Sequence, residues 1–220
     1  MSSLKDEAYE LIKQRITDAT YPAQSFIDEK ALAQELNASR TPVREAIIAL
    51  SQEGYLQILP KRGIMVLPFT YDDALDVFQV RELLEPWLIR TYGPTLTKEE
   101  LEKERELVIQ ENRENPPTQN RPGISMGHHP HSLLMSKCTN RNISNMLSYV
   151  EQQIKRIPDV RKMNQTRELK DPAAYQEQVL NAHLRLIDLM LAGDFKAAEQ
   201  DMVWHVQHAR DEYMDFYFGQ

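Results

Sequence analysis

The stretch Ser39-Arg40-Thr41-Pro42-Val43-Arg44-Glu45-Ala46 decides how the chain is read. Proline is tolerated in the first turn of a helix, so a helix starts near Ser39 or Thr41. Ala46, Ile47 and Leu50 continue it as a buried side, and Gly54 stops it. Arg40 and Arg44 stand four residues apart and therefore share one face. Upstream, Leu4, Ala8, Leu11, Ile12 and Ile16 recur at three- and four-residue spacings, which predicts a helix that Tyr21-Pro22 breaks. A short second helix is predicted from the N-cap Asp28 through Leu32 to Leu36. Downstream the period changes. Residues 55–59 and 64–67 are β-prone runs separated by Pro60-Lys61-Arg62-Gly63, which reads as a hairpin. Three helices followed by a hairpin is the order of a winged helix-turn-helix.

In that arrangement the second helix of the pair meets base edges with its N-terminal residues. An arginine can donate two parallel hydrogen bonds to guanine, so Arg40 and Arg44 are the candidates for reading sequence. Ser39, Thr41 and the amides at the helix start suit phosphate oxygens. Lys61 and Arg62 at the hairpin tip would reach the backbone or the minor groove, and Lys30 is a further phosphate contact. The competing view makes Arg40 and Arg44 an ordinary solvated face; the basic hairpin following in order favours DNA.

Beyond Pro68 nearly everything reads as helix. Thr70 with Asp73, and Thr97 with Glu100, are capping-box signatures. One predicted helix carries Ala74, Val77, Leu84 and Leu88 and ends near Gly93; a charged one follows to about Asn115. Residues 116–130 are punctuated by Pro and Gly and read as a loop. Further helices are predicted through Cys138, from about Asn142 to Met163, from Asp171-Pro172 to Gly193, and from Asp194 to about Phe218. The expected fold is mainly α: a winged helix-turn-helix over residues 1–69 and an antiparallel all-α bundle of about six helices over 70–220.

Three histidines lie on apolar stripes of that bundle. His183 stands among Leu180, Leu184 and Ile187, His205 among Ala198, Met202 and Ala209, and His131 on the face of Leu134, Met135 and Cys138. Counted from a turn between Gly193 and Asp194, His183 and His205 fall level across an antiparallel pair, because each residue rises about 1.5 Å. They are candidate ligands of one metal. Imidazole suits Zn, Ni, Fe or Mn, and three histidines leave a position open to a small anion. Hydrogen-bonded core side chains are the plainer alternative. Arg81 interrupts the apolar stripe of its helix, and a buried guanidinium needs a partner. Glu85, one turn on, would serve, as would a carboxylate effector held in two-pronged fashion. Trp87 and Trp204 read as core or dimer-interface residues.

The SRTPVREA stretch, followed by AL-x-x-EG-Y and the KRG hairpin, closely resembles the DNA-binding domain of GntR-family bacterial transcription regulators over residues 4–67. That resemblance implies DNA reading by Arg40 and Arg44, assisted by Lys30, Thr41, Arg62 and Gly63. The second part is similar to the FCD ligand-binding domain of the FadR-like branch, in its shorter six-helix version. Its markers are R-x-x-L-E from Arg81 to Glu85, His131 followed by Asn140, AH-x-x-x-I with AGD around His183, and M-x-x-H ending at His205. The resemblance implies a metal site of His131, His183, His205 and an Asp four residues before the first of them. That position is Gly127 here, with His128 or His129 as substitutes, and Pro130 stands where Phe is usual. It further implies a homodimer formed through the helical part, a pseudo-palindromic double-stranded operator, and a small organic acid as effector.

Composition bounds these expectations. One cysteine excludes a disulfide framework, the acidic start MSSLKDEAYE is not expected to be a signal peptide, and no apolar run is long enough for a membrane span. A cytoplasmic protein is expected. The net charge of -7 taken alone argues against nucleic acid. Residues 1–69, however, carry 8 Lys and Arg against 9 Asp and Glu, and the rest carry 18 against 24, so the acid surplus lies mostly in the second part. Few phosphate-facing cations then imply modest non-specific binding and reliance on dimerisation. The alternative from another class is a metal-dependent enzyme acting on a small organic acid, although no H-E-x-x-H motif accompanies the histidines.

Overall fold

The computed structural model describes residues 3–114, 130–154 and 171–218. The chain divides after Thr70 into two compact units. The first holds α1 (Leu4–Thr17), β1 (Phe26–Ile27), α2 (Glu29–Glu35), α3 (Arg40–Gln52), β2 (Leu56–Leu59) and β3 (Gly63–Val66). Ser3 and Asp6 cap α1 reciprocally, each side chain accepting from the other's amide. Asp28 Oδ1 accepts from the amides of Lys30 and Ala31 and so starts α2. Ala8, Ile12 and Ile16 of α1 meet Leu32 of α2 and Val43, Ala46, Ile47 and Leu50 of α3 in one core, closed from the sheet side by Ile27, Leu56, Ile64 and Val66. Each large aliphatic side chain buried there contributes roughly 1.5–3 kcal/mol.

The sheet has a strand more than the hairpin reading supplies. Its order is β1-β3-β2, all antiparallel, with Phe26 opposite Met65 and Leu56 opposite Val66. β1 is two residues long, too short for any alternation to show, and only its partner specifies it. The hairpin itself turns at Leu59-Pro60-Lys61-Arg62, where the Arg62 amide donates to the Leu59 carbonyl. Pro60 pre-sets the first corner and Lys61 takes the left-handed second one at φ 63°.

The second unit holds α4 (Tyr71–Tyr92), a 3-10 turn (Gly93–Thr95), α5 (Lys98–Glu114), α6 (Pro130–Lys137), α7 (Arg141–Ile154), α8 (Pro172–Leu191) and α9 (Phe195–Phe218). Thr97 and Glu100 form their capping box at α5. Asp171 caps α8 through the Ala174 amide, and Asp194 caps α9 through the Ala197 amide. Pro130 opens α6 rather than ending the preceding loop, since a first-turn residue has no amide bond to lose. The rest of that predicted loop and the predicted end of α7 lie outside the described residues, as do Gly127, His128 and His129.

α9 packs along both α4 and α8, α5 along α8, and α7 along α4. Arg90 pairs with Glu199 and Arg210 with Glu82, tying α4 to α9. Gly93 permits the close approach at the end of α4: a Cβ there would stand 2.9 Å from Phe195 Cδ1. The tryptophans are not core residues. Trp87 is half-buried, and Trp204 is 46% exposed with Arg185 over its ring. Among the described residues no helix is long and apolar enough to cross a membrane.

Candidate functional site

In the first unit, Lys30, Ser39, Arg40, Thr41, Arg44, Lys61, Arg62 and Gly63 are all exposed. Lys30, Arg40, Arg44, Arg62 and Gly63 line a single shallow depression. Ser39 and Thr41 flank it at the start of α3, and Lys61 stands on the turn beside Arg62. The exposed Ser39 side chain makes no cap bond to α3, which leaves its hydroxyl and the first amides of the helix able to bond elsewhere. Two members of this surface were not read from the sequence. Glu29 pairs with Arg44 across 3.5 Å, joining α2 to α3. Phe26, 56% exposed, lies against Gly63, where a Cβ would come within 3.2 Å of its ring. Gly63 also has φ 120°, which disfavours any side chain.

In the second unit, α6, α8 and α9 bring His131, His183 and His205 together, with one ligand nitrogen from each inside a 4.8 Å span. His183 and His205 are buried, and His131 is nearly so. Their rings are close: 4.8 Å between the centroids of His183 and His205, 5.0 Å between His131 and His205, and 5.4 Å between His131 and His183. His131 Nε2 and His205 Nε2 stand 3.1 Å apart. Two nitrogens each ~2.1 Å from a shared ion subtend about this separation, so the set fits a first-row divalent metal after small side-chain movements.

Glu85 on α4 is the group the sequence did not assign to this cluster. Its Oε2 lies 2.7 Å from His131 Nδ1, and its Oε1 accepts from Arg81 Nε at 2.6 Å. Arg81 Nη2 donates to Glu85 Oε2 at 3.3 Å. Burial alone would push this carboxyl up. The Arg81 guanidinium and then His131 outweigh it, so the group sits well below the usual carboxylate range. A carboxylate that accepts a hydrogen bond from Nδ1 leaves Nε2 facing the other two histidines, the arrangement that orients metal-binding imidazoles. One glutamate four residues from an arginine on a helix is the only signal the sequence carries for this.

The three histidines line one region of a cavity of about 90 Å³, which also touches Arg81 and Glu85. Leu147, Val150 and Ile154 of α7 and Val179 and Ala182 of α8 form an apolar wall. Elsewhere the lining turns polar again. Gln178 Nε2 is 2.6 Å from His208 Nε2 and donates to Glu212 Oε1 at 3.0 Å. His208 stacks on Trp204 with centroids 4.8 Å apart, and its Nε2 is 3.3 Å from Glu212 Oε1. Burial pushes the Glu212 carboxyl above its ordinary value, although His208 and Gln178 oppose this.

Residues 4–66 match the family model described as bacterial regulatory proteins, gntR family, and residues 76–208 match that of the FCD domain. An uncharacterized HTH-type transcriptional regulator of Bacillus subtilis, YdhC, is 26% identical over 201 residues, spanning 91% of this chain and 86% of that protein. The Uxu operon transcriptional regulator of Escherichia coli K12 is 23% identical over 222 residues, 94% of this chain and 85% of its own length. A solved GntR-type structure from Rhodococcus sp. RHA1 shares the fold with a TM-score of 0.69 at 18% identity, covering 97% of this chain and 98% of the other.

Proposed function

The chain belongs to the GntR family of bacterial regulatory proteins and carries an FCD domain; it is a transcription regulator, not an enzyme, and from that premise we propose a ligand-responsive regulator that binds a pseudo-palindromic operator as a homodimer. Residues 1–69 read double-stranded DNA. Residues 70–220 sense the effector and form the dimer, and the protein works in the cytoplasm.

At the operator, α3 enters the major groove with Arg40 and Arg44 toward base edges. Ser39 and Thr41 hold phosphates beside the helix start. Lys30, Lys61 and Arg62 add phosphate or minor-groove contacts, and Gly63 lets the hairpin approach. Glu29 holds Arg44 until a base or phosphate competes for it. Two such helices, one per protomer, address half-sites about one helical turn apart.

The effector is a small organic acid. The observation that supports it is the convergence of His131, His183 and His205 on the wall of a cavity able to hold a small molecule. His131, His183 and His205 would hold a divalent ion (Zn, Ni, Fe or Mn), which would supply Lewis-acid affinity for an anionic oxygen. Arg81 lends positive charge nearby, while its Nε and Nη2 stay on Glu85. Effector binding alters operator affinity to the extent that it favours one conformation of the dimer over another.

The test is footprinting of the purified protein on DNA upstream of the genes around its own, with Zn or Ni and a panel of short organic acids. The expected result is a symmetric footprint whose midpoint shifts with at least one acid. A footprint that no acid shifts, on protein containing no stoichiometric metal, overturns the sensing part of the proposal.

A further inference from the structure

The cavity has a second polar region besides the histidine cluster, and it bears on which acid fits. Gln178 precedes His183 by five residues on α8, while His208 and Glu212 follow His205 by three and seven residues on α9. The helices run antiparallel, so all three are displaced in the same direction, by about 5–10 Å along the helix axes. Gln178 Nε2 lies within hydrogen-bond distance of both His208 Nε2 and Glu212 Oε1, which ties the three into one group on the cavity lining. Between the two regions runs the apolar wall of Val150, Ile154 and Val179.

Gln178 and Glu212 offer hydrogen-bond acceptors at this end of the cavity. The Gln178 amide nitrogen is directed at His208 and Glu212, so its carbonyl oxygen remains to accept a further hydrogen bond. Both contacts to Glu212 end on Oε1, and Oε2 is the oxygen a ligand donor would meet. The Arg81 Nε and Nη2 donors are committed to Glu85. A group carrying protons and positive charge therefore suits this end, and a second carboxylate does not.

We infer that the effector is a short ω-amino acid, its carboxylate at the histidine cluster and its ammonium at Gln178 and Glu212, with a chain of about four to six carbons given the displacement along the helices. The inference rests on the carboxylate-sensing reading above and adds the distal group.

Isothermal titration of the full-length, Zn-loaded protein with 5-aminopentanoate, pentanoate and glutarate tests it. The expected order is 5-aminopentanoate tighter than pentanoate by about fivefold or more, with glutarate weakest. Glu212→Gln should bring 5-aminopentanoate close to pentanoate while leaving pentanoate unchanged, and Gln178→Leu should do the same in part. Equal binding of the three acids by the wild-type protein, or glutarate binding tightest, overturns the inference and leaves the sensing of carboxylates standing. Binding of none of them, or binding that survives in His183→Ala, overturns the carboxylate reading and this inference with it.

Discussion

Replacing Arg81 by Met keeps the length of the side chain and removes its charge. In the native protein the Arg81 and Glu85 side chains are 5% and 6% exposed and meet through Nε–Oε1 at 2.6 Å. Truncating one partner of a buried pair leaves the other charge without compensation, at a cost of about 3–5 kcal/mol. For a protein of this size each kcal/mol lowers Tm by about 2–4 °C, so Arg81→Met should melt roughly 6–20 °C early. Scanning calorimetry in chelator, with no acid present, makes the measurement independent of metal and effector. The double variant Arg81→Met, Glu85→Leu removes the stranded charge and should recover most of the loss. The dependence on pH has a definite sign. Native Glu85 lies below its ordinary value, so its contribution is present above about pH 4.3 and is lost as pH falls toward its lowered value. In the variant, His131 alone opposes the burial that pushes Glu85 up, and the protonated form becomes more tolerable. The deficit should therefore be greatest at pH 7 and shrink toward pH 4. A single variant that melts within 2 °C or so of wild type at pH 7, or a double variant no better than the single, would refute the reasoning. Arg81 would then be serving a ligand rather than Glu85.

Arg44→Ala should lose about 1–3 kcal/mol of base discrimination, read as a weakened and less specific footprint with unchanged oligomeric state by size-exclusion chromatography; an unchanged footprint refutes the placement of α3 in the groove. His183→Ala should abolish stoichiometric Zn or Ni by elemental analysis while the DNA sequence protected stays the same, and full metal content in that variant removes His183 from the site. Gly93→Ala should destabilise the protein by about 1–3 kcal/mol, because its Cβ would sit 2.9 Å from Phe195 Cδ1. A Gly93→Ala variant with unchanged Tm shows that Phe195 yields without loss.

What the sequence made legible was local or periodic. α1, α2 and α3 follow from apolar spacing plus caps at Asp28 and the proline-bearing first turn of α3, all of which act within a few residues. The level placement of His183 and His205 was also countable, because a tight turn at Gly193 and a fixed rise leave an antiparallel pair little freedom in register. β1 was not legible, since two residues carry no period and gain their strand identity only from Met65 and Ile64 opposite. Glu29 was missed because its pairing with Arg44 joins two helices fifteen residues apart, and nothing in either helix alone marks it. The core half of the tryptophan reading fails for a related reason: a large apolar side chain signals burial on average, yet Trp204 stays 46% exposed, with His208 stacked on its ring and Arg185 over it.

The partner of Arg81 is the instructive case, because the sequence posed it as a choice and the fold gives the guanidinium to Glu85. A glutamate one turn on and an anion in the cavity looked like rivals for one guanidinium. Glu85 instead serves two partners: Oε1 accepts from Arg81 Nε, and Oε2 is shared by Arg81 Nη2 and His131 Nδ1. Arg81 thereby keeps Glu85 charged, the charge keeps the His131 proton on Nδ1, and Nε2 is left to face His183 and His205. Such a chain needs both ends. Without Arg81 the buried carboxyl would take up a proton and lose its grip on His131; without His131 its second oxygen would be buried with less compensation. The interruption of an apolar stripe by a single arginine was therefore the visible end of a polar network whose other members sit on α4, α6, α8 and α9, and no periodicity within α4 can report residues that arrive from other helices.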